Sequence, residues 1–195
     1  MMKYLLSNNL MSDFQSAYRP RYSTTTALLN ICDDIRRGFD LGQFTVLALL
    51  DFSKAFDSVN HSKLCDKLEN LFNFSESACK LIFSYLCGRS QRVEVNGVLS
   101  DMLQLKCGVP QGSVLGPLLF SVFINDISSC FLYTKFHLYA DDLQVYKVGS
   151  DLECDQMIFG VLRLGQYAMH YCLMLKKTQA IICHRNRLML CALID

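Results

Sequence analysis

The chain has 195 residues, 51 % of them hydrophobic, with a formal net charge of +1. That apolar content excludes a disordered chain and is enough for one domain or two small lobes. The near-neutral charge argues against a protein that grips nucleic acid over a long footprint by itself, since such proteins are basic.

In chain order, "STTTALLNICDDIRRGF" predicts a helix capped at Ser23 or Thr24, with Ala27, Leu28, Ile31 and Ile35 on its buried face. Gly38 and Gly42 are expected to bracket the turn that follows. "FTVLALLDF" is β-branched and almost continuously apolar, the pattern of a central strand buried on both faces. "SKLCDKLENLF" carries a helical stripe at Leu64, Leu68, Leu71 and Phe72, and "SESACKLIFSYL" opens with a capping pattern. "QRVEVNGVLS" alternates around Asn96-Gly97, the strongest short hairpin signal. "GVPQGSVLGPLLFSVFINDI" is a Gly/Pro-rich loop entering an apolar helix, with Pro117 tolerable only in the first turn. "FHLYADDLQVY" reads as two strands meeting at an acidic turn. "LECDQMIFGVLRLGQYAMHYCLML" predicts a helix and "TQAIIC" a short strand. The mixture is α/β or α+β around a central antiparallel sheet.

The ten cysteines contain no C-x-x-C pair, which speaks against zinc. The N-terminus lacks the apolar run of a secretory signal, and most cysteines stand in apolar contexts, as fillers of a core in a reducing compartment. The nearly apolar stretch from Val114 to Ile124 is too short to span a bilayer, so no membrane partner is expected.

Two adjacent carboxylates at a hairpin tip, Asp141 and Asp142, repel each other. A solvated turn is the plain explanation. Asp51 closes the apolar strand "TVLALLD", however, and two acidic strand ends in one small domain favour a shared divalent-metal site. Carboxylates with open positions suit Mg²⁺, and a pair of such ions suits phosphoryl transfer.

"LLDFSKAFDSVNH", "GVPQGSVLGPLLFSVFINDI" and "YADDLQVY", in this order, resemble the palm motifs of reverse transcriptases of non-LTR (LINE-type), jockey-like retrotransposons. "DFQSAYRPRYSTTTALL" is similar to their fingers motif, and "LKKTQAIIC" to the lysine motif after the acidic hairpin. The resemblance implies a right-hand polymerase. Fingers would occupy residues 1–43 and 62–106, and palm residues 44–61 and 107–195, all in one reverse transcriptase domain without a thumb. It implies an RNA-directed DNA polymerase that uses two Mg²⁺ ions, with Mn²⁺ able to substitute. Its partners would be an RNA template, a DNA primer and dNTPs, and its residence nuclear.

By the same resemblance Asp51 and Asp141 bind both ions and Asp142 supports them. Phe56 is the steric gate that excludes a 2′-hydroxyl. Backbone N–H groups around Lys54 and Ala55 hold the triphosphate, Arg19 neutralises its charge, and Gln111 and Gly112 approach the nucleotide and template. Lys177, or Lys176 beside it, protonates leaving pyrophosphate. "LMLKKTQ" lacks the Asn-Pro usual before this lysine, which is expected to shift Lys177 along the sheet. The competing reading is a truncated, inactive remnant that at most binds nucleic acid or a partner.

Overall fold

The structure is a computed structural model and describes residues 1–150, 163–168, 170–171, 173–184 and 187–194. Its helices are α1 (Met2–Ser7), α2 (Thr24–Asp40), α3 (His61–Asn70), α4 (Glu76–Leu86) and α5 (Leu115–Phe123). Its strands are β1 (Phe44–Ser53), β2 (Ser90–Gln91), β3 (Glu94–Val95), β4 (Val98–Leu99), β5 (Leu103–Gln104), β6 (Lys135–Tyr139), β7 (Asp142–Gly149), β8 (Met174–His184) and β9 (Arg187–Ile194). Two compact units emerge: Met1–Leu10 with Phe56–Phe123, and Met11–Ala55 with Ile124–Asp195.

The second unit is built on an antiparallel sheet of order β6-β7-β1-β8-β9, with β1 at its centre. Central placement follows from the apolar run, but burial on both faces does not. Ala48, Leu50 and Phe52 are buried, whereas Leu47, Leu49 and Asp51, on the opposite face, are half-exposed. Among the described residues, that face of the sheet is therefore the more open one around Asp51. Helix α2 begins with a capping box, in which the Ser23 hydroxyl accepts from the Thr26 N–H and the Thr26 hydroxyl accepts from the Ser23 N–H. Its buried positions are Ala27, Ile31 and Gly38, while Leu28 is exposed. Gly38 lies inside the helix, not in a turn: a Cβ there would come within 2.6 Å of Val148 Cγ1 on β7. Asp34 of α2 accepts from Lys135 Nζ at 2.8 Å and from the Tyr146 hydroxyl at 2.6 Å, tying the helix to β6 and β7.

Strand β8 is longer than its sequence predicted. It takes in Met174 and Leu175, which were expected to end the preceding helix, and it pairs with a further strand, β9. Residues 163–168 and 170–171 are helical as expected, Leu173 is not helical, and residues 152–162, 169 and 172 of that expected helix lie outside the described residues.

The first unit packs α3 against α4 and α5. Asn60 caps α3 by accepting from the Lys63 N–H, and Ser75 caps α4 by accepting from the Ala78 N–H. Leu64, Leu68 and Phe72 are buried as the stripe predicts, and Leu71 is exposed. Helix α5 buries Gly116 and all of Leu118 to Phe123, the all-round burial of a core helix. Pro117 falls in its first turn, where a missing N–H costs no helical bond. Lys67 of α3 is buried and donates to the carbonyl of Phe123, the last residue of α5. In the β3–β4 hairpin Asn96 and Gly97 have φ of 51° and 79°, the two positive values a type I′ turn requires.

Among the described cysteines, Cys79, Cys130 and Cys183 are buried as core fillers, Cys65 and Cys87 half-buried, and Cys32 and Cys107 exposed. Among the described residues no helix is long and apolar enough to cross a membrane.

Candidate active site

The acids gather on the open face of the β1 sheet. Asp51 is the register partner of Asp142 on β7 and of Lys177 on β8, so the three positions form one row across three adjacent strands. Directly opposed residues of an antiparallel pair share a face, with Cβ atoms about 4.5–5.5 Å apart. The β1–β8 register shifts just after Asp51, because Phe52 pairs with Leu175 and leaves Lys176 as the extra residue of a bulge. A cavity of about 300 Å³ opens here, lined by Leu49, Leu50, Asp51, Asp142, Leu143, Gln144 and Gln179.

Tyr139 pairs with Asp142, so the hairpin loop between β6 and β7 is the two residues Ala140 and Asp141. Ala140 takes φ of 57°, a conformation that costs an L-residue about 1–2 kcal/mol. Burial raises the pKa of the Asp141 carboxyl, and the charges of Asp142 and Asp51 push the same way, against an opposing backbone hydrogen bond. The Asp141 carboxyl thus senses the other two charges. Tyr18, itself at φ of 60°, has its phenol pKa raised by burial and then by the charge of Asp141.

Carboxylates placed in this way fit a divalent cation of the Mg²⁺ type. Among the described residues no three His, Cys, Asp or Glu side chains form a ready-made metal cage. Mg²⁺ asks for none, since it is held by one or two carboxylates together with water and substrate phosphates. The mutual repulsion at Asp51, Asp141 and Asp142 is the feature a cation would relieve.

The model of the reverse transcriptase (RNA-dependent DNA polymerase) family matches residues 1–185. The chain belongs to the reverse transcriptase family. It is 33 % identical over 123 residues to a probable RNA-directed DNA polymerase from transposon BS of Drosophila melanogaster. It is 35 % identical over 114 residues to the RNA-directed DNA polymerase from mobile element jockey of the same species. These matches cover 63 % and 58 % of this chain but 13 % and 12 % of those proteins, so the chain spans about an eighth of their length. The match to the jockey polymerase of Drosophila funebris is 32 % identical and covers 68 % of this chain and 15 % of that protein. The resemblance to jockey-like, non-LTR elements is borne out. Among solved structures, apo telomerase from Candida tropicalis truncated from its C-terminal domain superposes with a TM-score of 0.71 at 14 % identity, over 93 % of this chain and 40 % of that one. Telomerase from Candida tropicalis in complex with a TWJ fragment of telomeric RNA gives 0.69 at 13 % identity, over 93 % and 33 %. The fold is therefore that of a fingers-and-palm polymerase. Reverse transcriptases generally use divalent metal ions.

The other expected residues of this reverse transcriptase domain stand as follows. Lys54 is exposed with φ of 49°, and Ala55 opens a 3-10 turn over Ala55–Asp57. A left-handed residue followed by a right-handed turn aims successive N–H groups to one side. In the first unit Phe56 is half-buried against Phe120, ring centroids 4.5 Å apart. Gln111 is exposed and donates to Asp57 Oδ1 at 2.8 Å, beside a cavity of about 340 Å³ that also reaches Arg89 and Gln91. Gly112 has φ of 75° and nothing within 4 Å of a virtual Cβ, so the conformation, not crowding within the chain, requires glycine. His61 is buried, with Nε2 2.8 Å from the Gly108 carbonyl, the turn-holding role its position suggests.

Arg19 lies in the loop before α2. Its side chain is 10 % exposed, it donates to the carbonyls of Ser12 at 2.7 Å and Gln15 at 3.3 Å, and it stacks over Tyr22. The guanidinium thus braces its own loop. Asp126 accepts from the hydroxyls of Tyr167 at 2.6 Å and Tyr171 at 3.3 Å, and with burial as the leading cause the Tyr171 phenol is pushed up to about 12.

His137 of β6 is buried, with Nε2 2.8 Å from Ser16 Oγ. Burial lowers its pKa below 6.5, because the charged imidazolium loses its hydration. The unfolded chain therefore takes up a proton that the folded chain refuses. Stability from this source is full above pH 6.5 and falls with acidification, by at most about 1.4 kcal/mol per pH unit. Urea unfolding of wild type and His137→Gln between pH 7.5 and 5.5 checks it: the gap between them should change with pH below 6.5, and a constant gap would refute the assignment.

Proposed function

We propose that this chain supplies the catalytic centre for template-directed addition of a deoxynucleotide to a primer 3′-hydroxyl, with RNA as the template. The row Asp142–Asp51–Lys177, with Asp141 at the adjoining turn, is the observation that supports it. Asp51, Asp141 and Asp142 would hold two Mg²⁺ ions, with Mn²⁺ able to replace them. When bound, such ions screen the triphosphate and stabilise the attacking and leaving oxygens of the transfer.

The chain's own groups have separate tasks in this reading. The N–H groups at Lys54 and Ala55 cradle the triphosphate. Lys177, at the register position beside Asp51, gives a proton to pyrophosphate. Phe56 walls the sugar, and Gln111 with Gly112 meets the nucleotide and template. Arg19 acts through the loop it braces. Nuclear residence belongs to the same reading, because template copying of this kind is coupled to chromosomal DNA.

The test is single-nucleotide primer extension on an RNA template with Mg²⁺ or Mn²⁺ at low salt, beside an Asp141→Ala/Asp142→Ala control. Extension that the control lacks supports the reading. No extension from a chain shown to be folded would overturn it and leave nucleic-acid binding without chemistry.

A further inference from the structure

The turn that carries Asp141 is held from outside the hairpin. Residues 14–16 run beside β6: the Leu138 N–H donates to the Phe14 carbonyl at 2.8 Å, and the Ser16 N–H donates to the Leu138 carbonyl at 2.9 Å. This brings Gln15 to the hairpin tip, where it is 1 % exposed. Its Oε1 accepts from the Ala140 N–H at 3.2 Å and from the Ala17 N–H at 3.0 Å, while its Nε2 donates to the Ala140 carbonyl at 3.3 Å. Two backbone donors and one backbone acceptor define which end of the amide is oxygen. Gln15 thus clasps both polar groups of one residue, and that residue is the left-handed Ala140.

We propose that Gln15 is a positioning residue for the catalytic acids: its amide holds Ala140 in the strained left-handed conformation that sets Asp141 and Asp142 beside Asp51. Alanine has no intrinsic reason to stay at φ of 57°. Strain of this kind persists only where the surroundings over-determine it. Gln15 supplies that constraint, and Arg19 in turn fixes Gln15 through its hydrogen bond to the Gln15 carbonyl. Glycine at 140 would adopt the same φ freely, so the clasp should become dispensable once Ala140 is replaced.

This inference rests on the metal-site reading above, and its test separates the two. Mn²⁺ binding is measured by electron paramagnetic resonance on wild type, Gln15→Ala, Ala140→Gly and the double variant, together with thermal melts and single-nucleotide extension. Gln15→Ala is expected to weaken Mn²⁺ binding on the order of tenfold, the usual effect of losing a group that orients ligands. Adding Ala140→Gly should restore most of that loss. Where wild type extends a primer, kcat should follow the same pattern while KM for the dNTP stays within about twofold, because the clasp touches no nucleotide.

A Gln15 that merely fills buried space or holds residues 12–22 would lower the melting temperature without rescue by glycine at 140, and that result overturns the proposal. So does unchanged Mn²⁺ binding in folded Gln15→Ala. If Gln15→Ala does not fold, Gln15→Glu keeps the acceptor oxygen, loses the donor to Ala140, and is held to the same rescue criterion. Should wild type bind Mn²⁺ but extend no primer, the polymerase reading fails while the binding comparison still decides the clasp. A wild type that binds no Mn²⁺ overturns both.

Discussion

Asp51→Asn should abolish nucleotide addition and at the same time leave the metal-free chain no less stable than wild type. The two effects have opposite signs for one reason. Asp51 stands directly opposite Asp142 in the β1–β7 register, and Asp141 lies within reach of both charges. Like charges directly opposed across a strand pair cost about 0.2–1 kcal/mol, so an isosteric neutral amide relieves the apo sheet by that amount. The same substitution removes a hard anionic oxygen from the place where a divalent cation would bind. Loss of charge stabilisation at one such position lowers the rate by ~10³-fold or more.

The measurement pairs single-turnover extension with urea unfolding in EDTA and in Mg²⁺. Wild type should gain stability from Mg²⁺, and Asp51→Asn should lose most of that gain. Extension retained within tenfold by the variant would remove Asp51 from the centre. A marked loss of stability in EDTA would show that Asp51 supports the sheet by more than its repulsion from Asp142 costs.

How far these features can be seen in the sequence depends on the range of the interaction. Local signals translated well. Ser23 with Thr26 made the cap of α2, Asn96-Gly97 made the type I′ turn, and the acids at the end of an apolar alternation made the β6–β7 hairpin. Each involves residues within a few positions of one another. Burial was harder, because it depends on what arrives from elsewhere. Leu28 and Leu71 fit a helical period, yet among the described residues both are exposed. Gly38 has the composition of a turn, but it lies inside the helix, where a Cβ would come within 2.6 Å of a Val148 methyl on β7.

The site shows the same division. Asp51, Asp141 and Asp142 were legible because acids at apolar strand ends are unusual and their motifs are ordered. Gln15 was not singled out, since its partner Ala140 is 125 positions away and a glutamine in a polar stretch carries no signal. Arg19 illustrates the converse. Its charge and motif position suggested a phosphate ligand, and only the packing shows that its Nη1 also donates to two backbone carbonyls of its own loop. Lys177 needed the register, because the neighbouring Lys176 is equivalent in sequence and differs by sitting in the bulge.

Phe56→Val is expected to erode discrimination against ribonucleotides by ~10²-fold while the rate with deoxynucleotides changes far less. The size follows from how specificity is built. A pocket that merely fits a substrate discriminates weakly, whereas one whose wall clashes with an extra hydroxyl rejects the competitor until the wall is cut back. The structure supplies a rival explanation that the experiment must exclude. Phe56 packs on Phe120 with centroids 4.5 Å apart, so shortening it also opens space beside the core helix α5. Phe120 is fully buried and Phe56 only half-buried. Phe120→Val is therefore the matched control: it should cost more stability, on the order of 1–3 kcal/mol, with little change in sugar selection. Primer extension with each dNTP and its ribonucleotide counterpart, at temperatures well below both melts, compares the two. If the variants lose discrimination in proportion to lost stability, Phe56 is a core ring and the gate lies elsewhere. If Phe56→Val admits ribonucleotides while the less stable Phe120→Val does not, the half-exposed ring selects the sugar and its stacking on Phe120 is what holds it in place to do so.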